Sequence, residues 1–469
     1  MAFNSIIFLW YFFPCSMLLY YIVPRKLKNT VLVLISLVFY AWGGANIKHT
    51  AFLIAIILAN YVGGILLEKF KSKQIRRIIL IIGIISNLSF LIVFKYLDFI
   101  IIKFNLLLGT EFSALNLIMP LGVSFFVFQI LTYIIDVFLE KVPAQHNLIN
   151  LALYITFFPK LIMGPIVKYR DMEPQLSCRS ITKEKFAYGI KRFIYGLSKK
   201  IMIADVLAIT ANKIFSYDLN ILTTPTIIMG VILYSFQLYF DFSGYSDMAI
   251  GLAKMYGFDF MENFNYPYIS QSVKEFWRRW HISLSSWFRD YVYIPLGGNR
   301  KGHYRTYLNL LIIFLLTGIW HGASFNFWLW GLFHGFFMLM ERAFLGKILE
   351  KNKFKIINII YTISVVFVGW AIFRCTNLQE ALYLVKNMFI IHPDALLNLS
   401  FFMTNKAWIT LIVAVLLCGV IQQKFKNLHE MVFSEKISNF EMVMQFLLLA
   451  YCLLYAVTGT YSAFIYFKF

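Results

Sequence analysis

Charged residues are scarce in this chain of 469 residues: Asp, Glu, Lys and Arg make up only 14% of it, whereas 60% is hydrophobic. In an ordinary soluble domain about a quarter of the residues carry charge. Aromatic residues are abundant, with 49 Phe, 28 Tyr and 10 Trp, and such rings anchor helices at the headgroup layer of a bilayer. The composition excludes a soluble protein and predicts a membrane protein with room for roughly ten or more spanning helices.

Acidic residues are especially few, because 23 Asp and Glu oppose 43 Lys and Arg and give a formal net charge of +20. The basic residues cluster in short loops between apolar runs: "PRKLKN" (24–29), "EKFKSKQIRR" (68–77), "KRFIYGLSKK" (191–200) and "QQKFKNLHE" (422–430). Such loops stay in the cytosol and attract anionic lipid. We therefore expect contact with membrane lipid, no nucleic-acid partner, and extracytoplasmic N- and C-termini.

Cysteine pairs and the common hydrolase motifs are also missing. The five cysteines form no C-x-x-C, so neither a metal site nor a disulfide framework is expected, and no bound cofactor is predicted. No G-x-S-x-G, H-E-x-x-H or protein-kinase motif occurs, and "GGNRKG" (297–302) lacks the P-loop spacing. A hydrolase would therefore lack its nucleophile, and an acyltransferase would need a hydroxyl from elsewhere. The first apolar segment has no basic n-region and no cleavage site, so we expect a retained helix.

Apolar runs that could span a bilayer lie at 5–23, 30–45, 50–67, 78–100, 117–139, 148–166, 225–250, 307–322, 325–340, 355–373, 405–421 and 441–458. The central stretches 167–224 and 254–305 differ, because charged residues, Pro and Gly interrupt them. Non-helical backbone at membrane depth persists only where it is buried in protein or lines a wet cavity. We predict re-entrant segments and an aqueous funnel there.

His321 lies within one of these apolar runs, in "LLTGIWHGASFNF" (315–327). An imidazole in a membrane is costly unless something needs it. A histidine hydrogen-bonded to a backbone carbonyl would be the ordinary interpretation. The small neighbours Gly318, Gly322 and Ala323 favour another, in which space beside the ring admits a substrate and His321 acts as a general base. His334 is expected to pack or to serve as a hydrogen-bond partner.

The stretch "SVKEFWRRWHISLSSWFRDYVYIPLGG" (272–298) carries an apolar stripe at helical spacing. This stripe comprises Val273, Trp277, Trp280, Leu284 and Phe288, and the opposite face comprises Lys274, Arg278, Ser285 and Arg289. An interfacial helix with its basic face on lipid phosphates is one interpretation. The other is a basic mouth for an anionic, phosphate-bearing donor such as coenzyme A, with His281 pointing inward.

Two carboxylates, Asp241 and Asp247, follow a long apolar run in "LYFDFSGYSDMAIGLAKMYG" (238–257). Buried carboxylates are expensive unless they are solvated or paired. We expect a pair of helix-end carboxylates that bind Arg or backbone N–H groups, and we favour this over direct catalysis.

Four stretches together resemble the membrane-bound O-acyltransferase (MBOAT) superfamily: "MPLGVSFFVFQILTYIIDVF" (119–138), "LYFDFSGYSDMAIG" (238–251), "ENFNYPYISQSVKEFWRRWHISLSSWFRDYVYIPLGGNR" (262–300) and "TGIWHGASFNFWLWGLFHG" (317–335). The resemblance is closest to the bacterial alginate O-acetylation branch, which includes peptidoglycan acetyltransferases. It implies an all-α polytopic fold, a ring of transmembrane helices with re-entrant segments around a thin central septum and tunnel. It further implies that His321 is catalytic and that His281 is the family's second histidine.

Carried over to the whole chain, the resemblance implies a single MBOAT domain over 1–469. Within it we expect N-terminal helices over 1–166, a catalytic core over 167–345, and C-terminal helices with an extracytoplasmic aromatic tail over 346–469. The donor implied is cytosolic acetyl-CoA, with Lys274, Arg278 and Arg279 as donor-binding candidates. The residues assigned a structural or tunnel-lining role are Asp241, Asp247, Trp320 and Asn326.

The chain ends in "AFIYFKF", which resembles the aromatic C-terminal motif of the small subunit that accompanies D-alanyl transferases of this superfamily. The resemblance implies that Tyr466 carries the acyl group. The alternative is an amphipathic tail that packs its rings at the interface.

The function expected from the sequence is a bacterial cell-membrane O-acetyltransferase. It would pass acetyl from acetyl-CoA across the membrane to a cell-surface polysaccharide such as peptidoglycan or alginate, with an extracytoplasmic SGNH-type partner protein. Two alternatives remain open: a D-alanyl transferase of the same superfamily acting on teichoic acid, and a non-enzymatic acyl or lipid transporter.

Overall fold

The computed structural model describes residues 2–43, 47–425, 434–435, 437–458 and 463–465. In this part of the chain, helices are joined by loops and turns and no β-strand is present; an isolated bridge pairs Leu222 with Leu397. The all-α class predicted from the sequence is therefore confirmed.

The helices of the N-terminal part, as far as the chain is described, are α1 Phe13–Ile22, α2 Lys28–Trp42, α3 Ile47–Lys69, α4 Lys73–Leu91, α5 Leu97–Leu108, α6 Val123–Phe138, α7 Leu148–Thr156, α8 Phe158–Leu161, α9 Tyr169–Ser177 and α10 Lys183–Ser198. The central helices are α11 Asp205–Ile214, α12 Thr224–Met255, α13 Val273–Arg279, α14 Ile282–Phe288, α15 Gly302–His321 and α16 Phe325–Met340. The remaining helices are α17 Gly346–Lys351, α18 Lys355–Arg374, α19 Leu378–Asn387, α20 Leu399–Phe402, α21 Asn405–Val415, α22 Ile421–Lys424 and α23 Asn439–Thr458.

The chain divides into two compact units. The first unit comprises Met1–Phe193, Tyr245–Met261 and Ala456–Ala463. The second unit comprises Ile194–Gly244, Glu262–Tyr455 and Phe464–Phe469. Both histidines predicted to act in catalysis, His281 and His321, belong to the second unit.

Six helices in the described residues are long and apolar enough to cross a membrane: Ile47–Lys69, Lys73–Leu108, Thr224–Met255, Lys355–Arg374, Asn405–Lys424 and Asn439–Val457. The helices Phe8–Ile22 and Val123–Phe138 are apolar but shorter. This agrees with a multi-pass membrane protein, and the prediction of a polytopic fold is confirmed.

Some apolar runs are shorter as helices than the sequence suggested. The run 148–166 is broken, because α7 ends at Thr156 and the short helix α8, which carries Pro159 in its first turn, follows after the non-helical Phe157. The run 117–139 becomes helical only at Val123, directly after Gly122. Gly122 has φ +74°, and a Cβ atom there would lie 2.6 Å from the carbonyl oxygen of Leu161. A side chain is excluded at this point by strain and by contact.

Helix α12 extends well beyond the predicted run 225–250, since it continues from Thr224 to Met255. Asp241 and Asp247 therefore lie inside a helix, and the expectation that they end one was wrong. Carboxylates at such positions need partners within the protein.

The predicted amphipathic stretch 272–298 is not one helix. Helix α13 ends at Arg279, Trp280 is extended with ψ 130°, and His281 has a left-handed backbone with φ +45° before α14 begins. The backbone groups exposed by this break pair with an upstream segment: Asn265 N–H donates to Arg279 O and Ile282 N–H donates to Asn263 O, each at 2.9 Å. Because these bonds replace helical ones, the break is stable.

The polarity of that stretch follows the prediction even though its helix is broken. The whole apolar stripe is buried: Val273, Trp277, Trp280, Leu284 and Phe288. Lys274, Arg278 and Arg289 are exposed and Ser285 is half-buried.

Candidate active site

His321 is the last residue of α15, where the chain becomes extended at Gly322 (φ −170°, ψ 157°). The imidazole is 4% exposed. Three aromatic rings meet it edge to face, with centroids 4.8 Å away at Trp320, 5.0 Å at Trp330 and 5.0 Å at Phe373. His321 thus lies at a helix C-terminus, buried among three aromatic rings.

The glycines near His321 serve helix packing. A Cβ atom on Gly318 would overlap the carbonyl oxygen of Phe327, and one on Gly331 would overlap that of Phe314. Small residues at these two positions let the backbones of α15 and α16 approach closely. A Cβ on Gly322 would overlap the ring of Phe327. The expectation that Gly318 and Gly322 leave space beside the imidazole for a substrate was therefore wrong, because packed protein atoms fill that space.

His281 occupies the break between α13 and α14 and is 1% exposed. A non-glycine residue with positive φ is strained, and such residues cluster at functional sites. Its Nδ1 atom lies 3.2 Å from Oδ1 of Asn263, and Phe242 meets its ring edge to face at 4.8 Å. His281 lies outside the helices long enough to span a membrane, and burial lowers its pKa to about 3.

Asn263 determines which nitrogen of His281 carries the proton. Its Oδ1 accepts the backbone N–H of Ser283 at 3.2 Å and the Ser283 hydroxyl at 2.8 Å. A backbone N–H can only donate, so the atom of Asn263 at this point is an oxygen acceptor. Nδ1 of His281 must then donate to it. In the neutral ring, which the lowered pKa of His281 favours, the lone pair is then on Nε2, and this atom can accept a hydrogen bond.

Trp320 brings the two predicted histidines to the same place in the second unit. Its ring centroid lies 6.2 Å from that of His281 and 4.8 Å from that of His321. Trp320 was predicted to have a structural or tunnel-lining role, and the structure places its ring in contact with both imidazoles. Forty residues of sequence separate these histidines, so only the fold brings them onto one indole.

His334 continues the same row of rings. Trp330 lies 5.0 Å from His321 and 5.2 Å from His334, and Trp277 meets His334 edge to face at 5.0 Å. Neither ring nitrogen of His334 has a hydrogen-bond partner among the described residues. The packing role expected for His334 agrees with these contacts, whereas the suggested hydrogen bond is not found there.

Asn326 connects the first turn of α16 to the end of α18. Its Nδ2 atom donates to the carbonyl oxygen of Cys375 at 2.6 Å, and the residue is fully buried. Because Phe373 on α18 is one of the rings against His321, this bond helps to hold that wall of the site.

The three donor-binding candidates differ in their surroundings. Arg279 is engaged within the protein, since Nη2 lies 2.7 Å from Oε1 of Glu275 and Nη1 donates to the carbonyl oxygen of Asn265 at 3.1 Å. Lys274 and Arg278 are exposed. An anionic ligand could therefore reach the last two without breaking an ion pair.

Asp241 and Asp247 each have a basic partner, as the sequence suggested, although neither ends a helix. In the second unit, Lys200 Nζ lies 2.7 Å from Oδ1 of Asp241. In the first unit, Asp247 forms an ion pair with the buried Arg192. Both acids are therefore paired with a basic residue of their own unit.

Two predicted features fall partly or wholly beyond this description. Tyr466, the candidate acyl carrier, lies outside the described residues. Of the tail "FIYFKF", the structure describes Phe464 and Ile465 only.

Several residues that build the site were missed in the sequence. Asn263, Trp330 and Phe373 touch the histidines or orient them, and Glu341 fixes α13 by accepting the backbone N–H groups of Val273 at 2.6 Å and Lys274 at 2.9 Å. The polar Asn263 in "ENFNYP" was the one visible signal, because a buried amide needs partners.

Two buried imidazoles, one with its tautomer fixed by Asn263, contact one indole in a helical protein whose described residues include six helices able to cross a membrane. This arrangement suits proton transfer in a polytopic membrane enzyme. The chain belongs to the membrane-bound O-acyltransferase family, whose sequence model matches residues 136–385. The family resemblance noted in the sequence is therefore confirmed.

Three relatives place the chain within the family. The probable alginate O-acetylase AlgI of Pseudomonas putida is 42% identical over 437 residues, which cover 92% of this chain and 88% of that protein. The peptidoglycan O-acetyltransferase of Helicobacter pylori is 36% identical over 436 residues, covering 85% and 82%. The teichoic acid D-alanyltransferase of Bacillus subtilis is 32% identical over 280 residues, covering 55% and 69%. The chain is an O-acyltransferase of the branch that contains the first two.

Proposed function

We propose that this protein is an O-acetyltransferase of the bacterial cytoplasmic membrane that modifies hydroxyl groups of a cell-surface polysaccharide. The supporting observation is the His281–Trp320–His321 arrangement in an O-acyltransferase. Near full-length relatives named for alginate and peptidoglycan O-acetylation support the acceptor class. The donor in this proposal is cytosolic acetyl-CoA.

His321 is the general base of the proposed transfer. A hydroxyl oxygen attacks the thioester carbonyl of acetyl-CoA while His321 accepts the hydroxyl proton. The new C–O bond forms, the C–S bond breaks, and the coenzyme A thiolate leaves and takes up a proton. Holding thioester and hydroxyl in line supplies a large part of the acceleration. His281 supports this step by presenting Nε2 from a fixed ring.

The exposed Lys274 and Arg278 attract the phosphate groups of the donor in this scheme. Lysine and arginine are the side chains that bind phosphate, the first as a point charge and the second through its planar fork. Arg279 contributes by holding the shape of α13 through Glu275.

The acetyl group then continues to the outer surface. We place both chain termini on the extracytoplasmic side, since the basic loops 24–29 and 68–77 belong in the cytosol. An SGNH-type partner protein completes transfer to the sugar, and the Tyr466 hydroxyl is the proposed intermediate carrier. The chain itself offers no hydrolase-type nucleophile motif, which supports a need for such a partner.

Replacing His321 with Ala tests the proposal. We expect surface O-acetyl content to fall to the level of a deletion strain while the membrane level of the protein is unchanged. His303→Ala is the matched control, because His303 lies on the same helix and is exposed. Normal acetylation with His321→Ala would refute the catalytic role.

Tyr466→Phe tests the carrier separately. The variant keeps the ring and removes the hydroxyl, so we expect acetyl-CoA still to bind while transfer to the surface is lost. Intact surface acetylation in this variant would remove the relay and leave the role of His321 standing.

D-alanyl transfer to teichoic acid is the second candidate, favoured by the Bacillus subtilis relative. That similarity covers 55% of the chain, whereas the O-acetylation relatives cover far more of it. Measuring ester-linked D-alanine and O-acetyl in the same deletion strain separates the two: loss of acetyl alone supports our proposal, and loss of D-alanine alone overturns it.

A further inference from the structure

A cluster of buried charged side chains lies in the second unit, in addition to the aromatic rings around His281, His321 and His334. Lys200 and Asp241 are each 1% exposed. The Lys200 ammonium lies 2.7 Å from Oδ1 of Asp241 and 2.8 Å from Oδ1 of Asp205. Removing three charged groups from water is costly, and it is repaid only by good geometry and further hydrogen bonds.

The second oxygen of Asp241 binds the end of the chain. The backbone N–H of Ile465 donates to Oδ2 of Asp241 at 2.8 Å. Lys200 Nζ also lies 4.7 Å from the ring centroid of Phe464, a cation–π distance. Phe464 is fully buried and Ile465 is 8% exposed. Two consecutive residues near the C-terminus are thus held by one ion pair more than 200 residues upstream.

The close approach of two backbones makes this cluster possible. A Cβ atom on Gly244 would lie 2.7 Å from the carbonyl oxygen of Gly196, and 3.4 Å from the backbone nitrogen of Lys200. Gly244 is one helical turn beyond Asp241 on α12. The absence of a side chain there lets α12 pack directly on the segment that carries Lys200.

The nearby acid on the same helix shows what an ordinary ion pair looks like here. Asp247 forms an ion pair with Arg192 in the first unit. By contrast, Oδ1 of Asp241 pairs with the Lys200 ammonium, and Oδ2 accepts the backbone N–H of Ile465. Chain ends fray unless something fixes them, and a charge-assisted bond to a backbone N–H is among the stronger ways to do so.

We propose that Asp241, supported by Lys200, anchors the C-terminal segment through the backbone of Ile465 and the ring of Phe464, and is thereby a positioning residue for acyl transfer. The bond to a backbone N–H fixes the register of the main chain whatever side chain stands at 465. The ring of Phe464 lies at a cation–π distance from Lys200 and adds a second contact at the neighbouring position. The positioning role rests on the proposed function, whereas the anchoring does not.

Anchoring is tested by thiol labelling of Ile465→Cys in membranes, with mass spectrometry to locate the label among the native cysteines. We expect slow labelling at 465 in the otherwise unchanged chain and about tenfold or faster labelling once Asp241→Ala opens the site. Asp241→Asn keeps an acceptor oxygen and should restore much of the protection. Asp247→Asn is the matched control and should leave labelling slow. Equal labelling with and without Asp241 overturns the anchor.

Positioning is tested by activity. We expect a lower kcat, with little change in the KM for acetyl-CoA, both for a chain ending at Ala463 and for the Asp241→Ala variant. A chain that combines the two changes should have the same kcat as the truncated chain alone. Ile465→Pro removes the donor N–H and leaves the ion pair untouched, so it should behave like Asp241→Ala without disturbing the cluster. Additive losses, or a shifted donor KM, would indicate a general structural role and overturn positioning. An active truncated chain would also overturn it and would remove the Tyr466 relay, while leaving the general-base role of His321 standing. An active His321→Ala protein would instead refute that general-base role and leave the labelling result valid.

Discussion

Gly369 of α18 packs directly against His334, so closely that a Cβ atom on Gly369 would overlap the Nε2 atom of the imidazole. Since Trp330 contacts both His334 and His321, this glycine sets the position of one end of the ring row. His321, the proposed general base, is thereby linked to a backbone atom of another helix through the rings of Trp330 and His334.

Gly369→Ala should destabilise the protein and lower its activity. The added methyl group meets a fully buried ring, and overpacking of this kind costs about 1–3 kcal/mol. We expect a lower melting temperature in detergent and a reduced kcat, because displaced His334 moves Trp330. Gly63→Ala is the control, since a Cβ atom there meets only Ile134 at 3.4 Å, ordinary van der Waals contact. A melting temperature equal to that of Gly63→Ala would contradict the packing described.

Asn263→Ala should impair catalysis more than stability. The variant removes the acceptor that fixes the tautomer and ring orientation of His281, and misplacement of a group in an active site can cost on the order of 10²-fold in rate. The measurement is acetyl transfer by purified protein at saturating donor. Asn263→Asp, which keeps the acceptor, should retain more activity than the Ala variant. Asn265→Ala is the control, because Asn265 is exposed and its hydrogen bonds with Arg279 use its backbone N–H and carbonyl oxygen.

Glu341→Ala should loosen α13. The carboxylate accepts two backbone N–H groups at the start of that helix, and hydrogen bonds to charged groups contribute about 1.5–3 kcal/mol each. We expect a clear fall in melting temperature, together with faster proteolysis near residue 273. The exposed Glu350 supplies the control Glu350→Ala; if both variants melt alike, Glu341 does not hold α13.

Lys274→Ala combined with Arg278→Ala should raise the KM for acetyl-CoA with kcat nearly unchanged. Each exposed charge contributes about 0.2–1 kcal/mol, so the two together are expected to raise the KM roughly two- to thirtyfold. Added salt should raise the KM of the parent protein and have less effect on the double variant. Lys347→Ala with Lys351→Ala removes two exposed basic residues of α17 as a comparison. An unchanged, salt-independent KM would exclude this face from donor binding.

Much of the architecture could be predicted from the amino-acid composition and from the length and spacing of the apolar runs. Long apolar runs predicted the helices Ile47–Lys69, Lys355–Arg374 and Asn439–Val457, because a run of this length has no other stable conformation in lipid. The spacing of apolar residues in 272–298 predicted correctly which side chains are buried. That prediction held although the helix is broken, since both short helices keep the same face inward.

The break itself could not be predicted from the local pattern. Trp280 and His281 continue a helical spacing without Pro or Gly, and their non-helical backbone is stabilised by Asn263 and Asn265, from 14 to 18 residues upstream. In the same way, the sequence alone suggests that the small residues Gly318 and Gly322 leave room for a substrate. Only the structure shows that Phe327 occupies that space.

By itself the sequence determined that this is a multi-pass helical membrane protein of the O-acyltransferase family. It also indicated which imidazoles and carboxylates must have a functional role or a bonding partner. It could do so because burying charge in lipid is expensive wherever the residue lies along the chain. Only the tertiary structure decided that Trp320 contacts both His281 and His321, and that Asp241 binds Lys200 and the backbone of Ile465. Those partners are distant in sequence, and which groups meet is set by how helices pack, a property that no local pattern encodes.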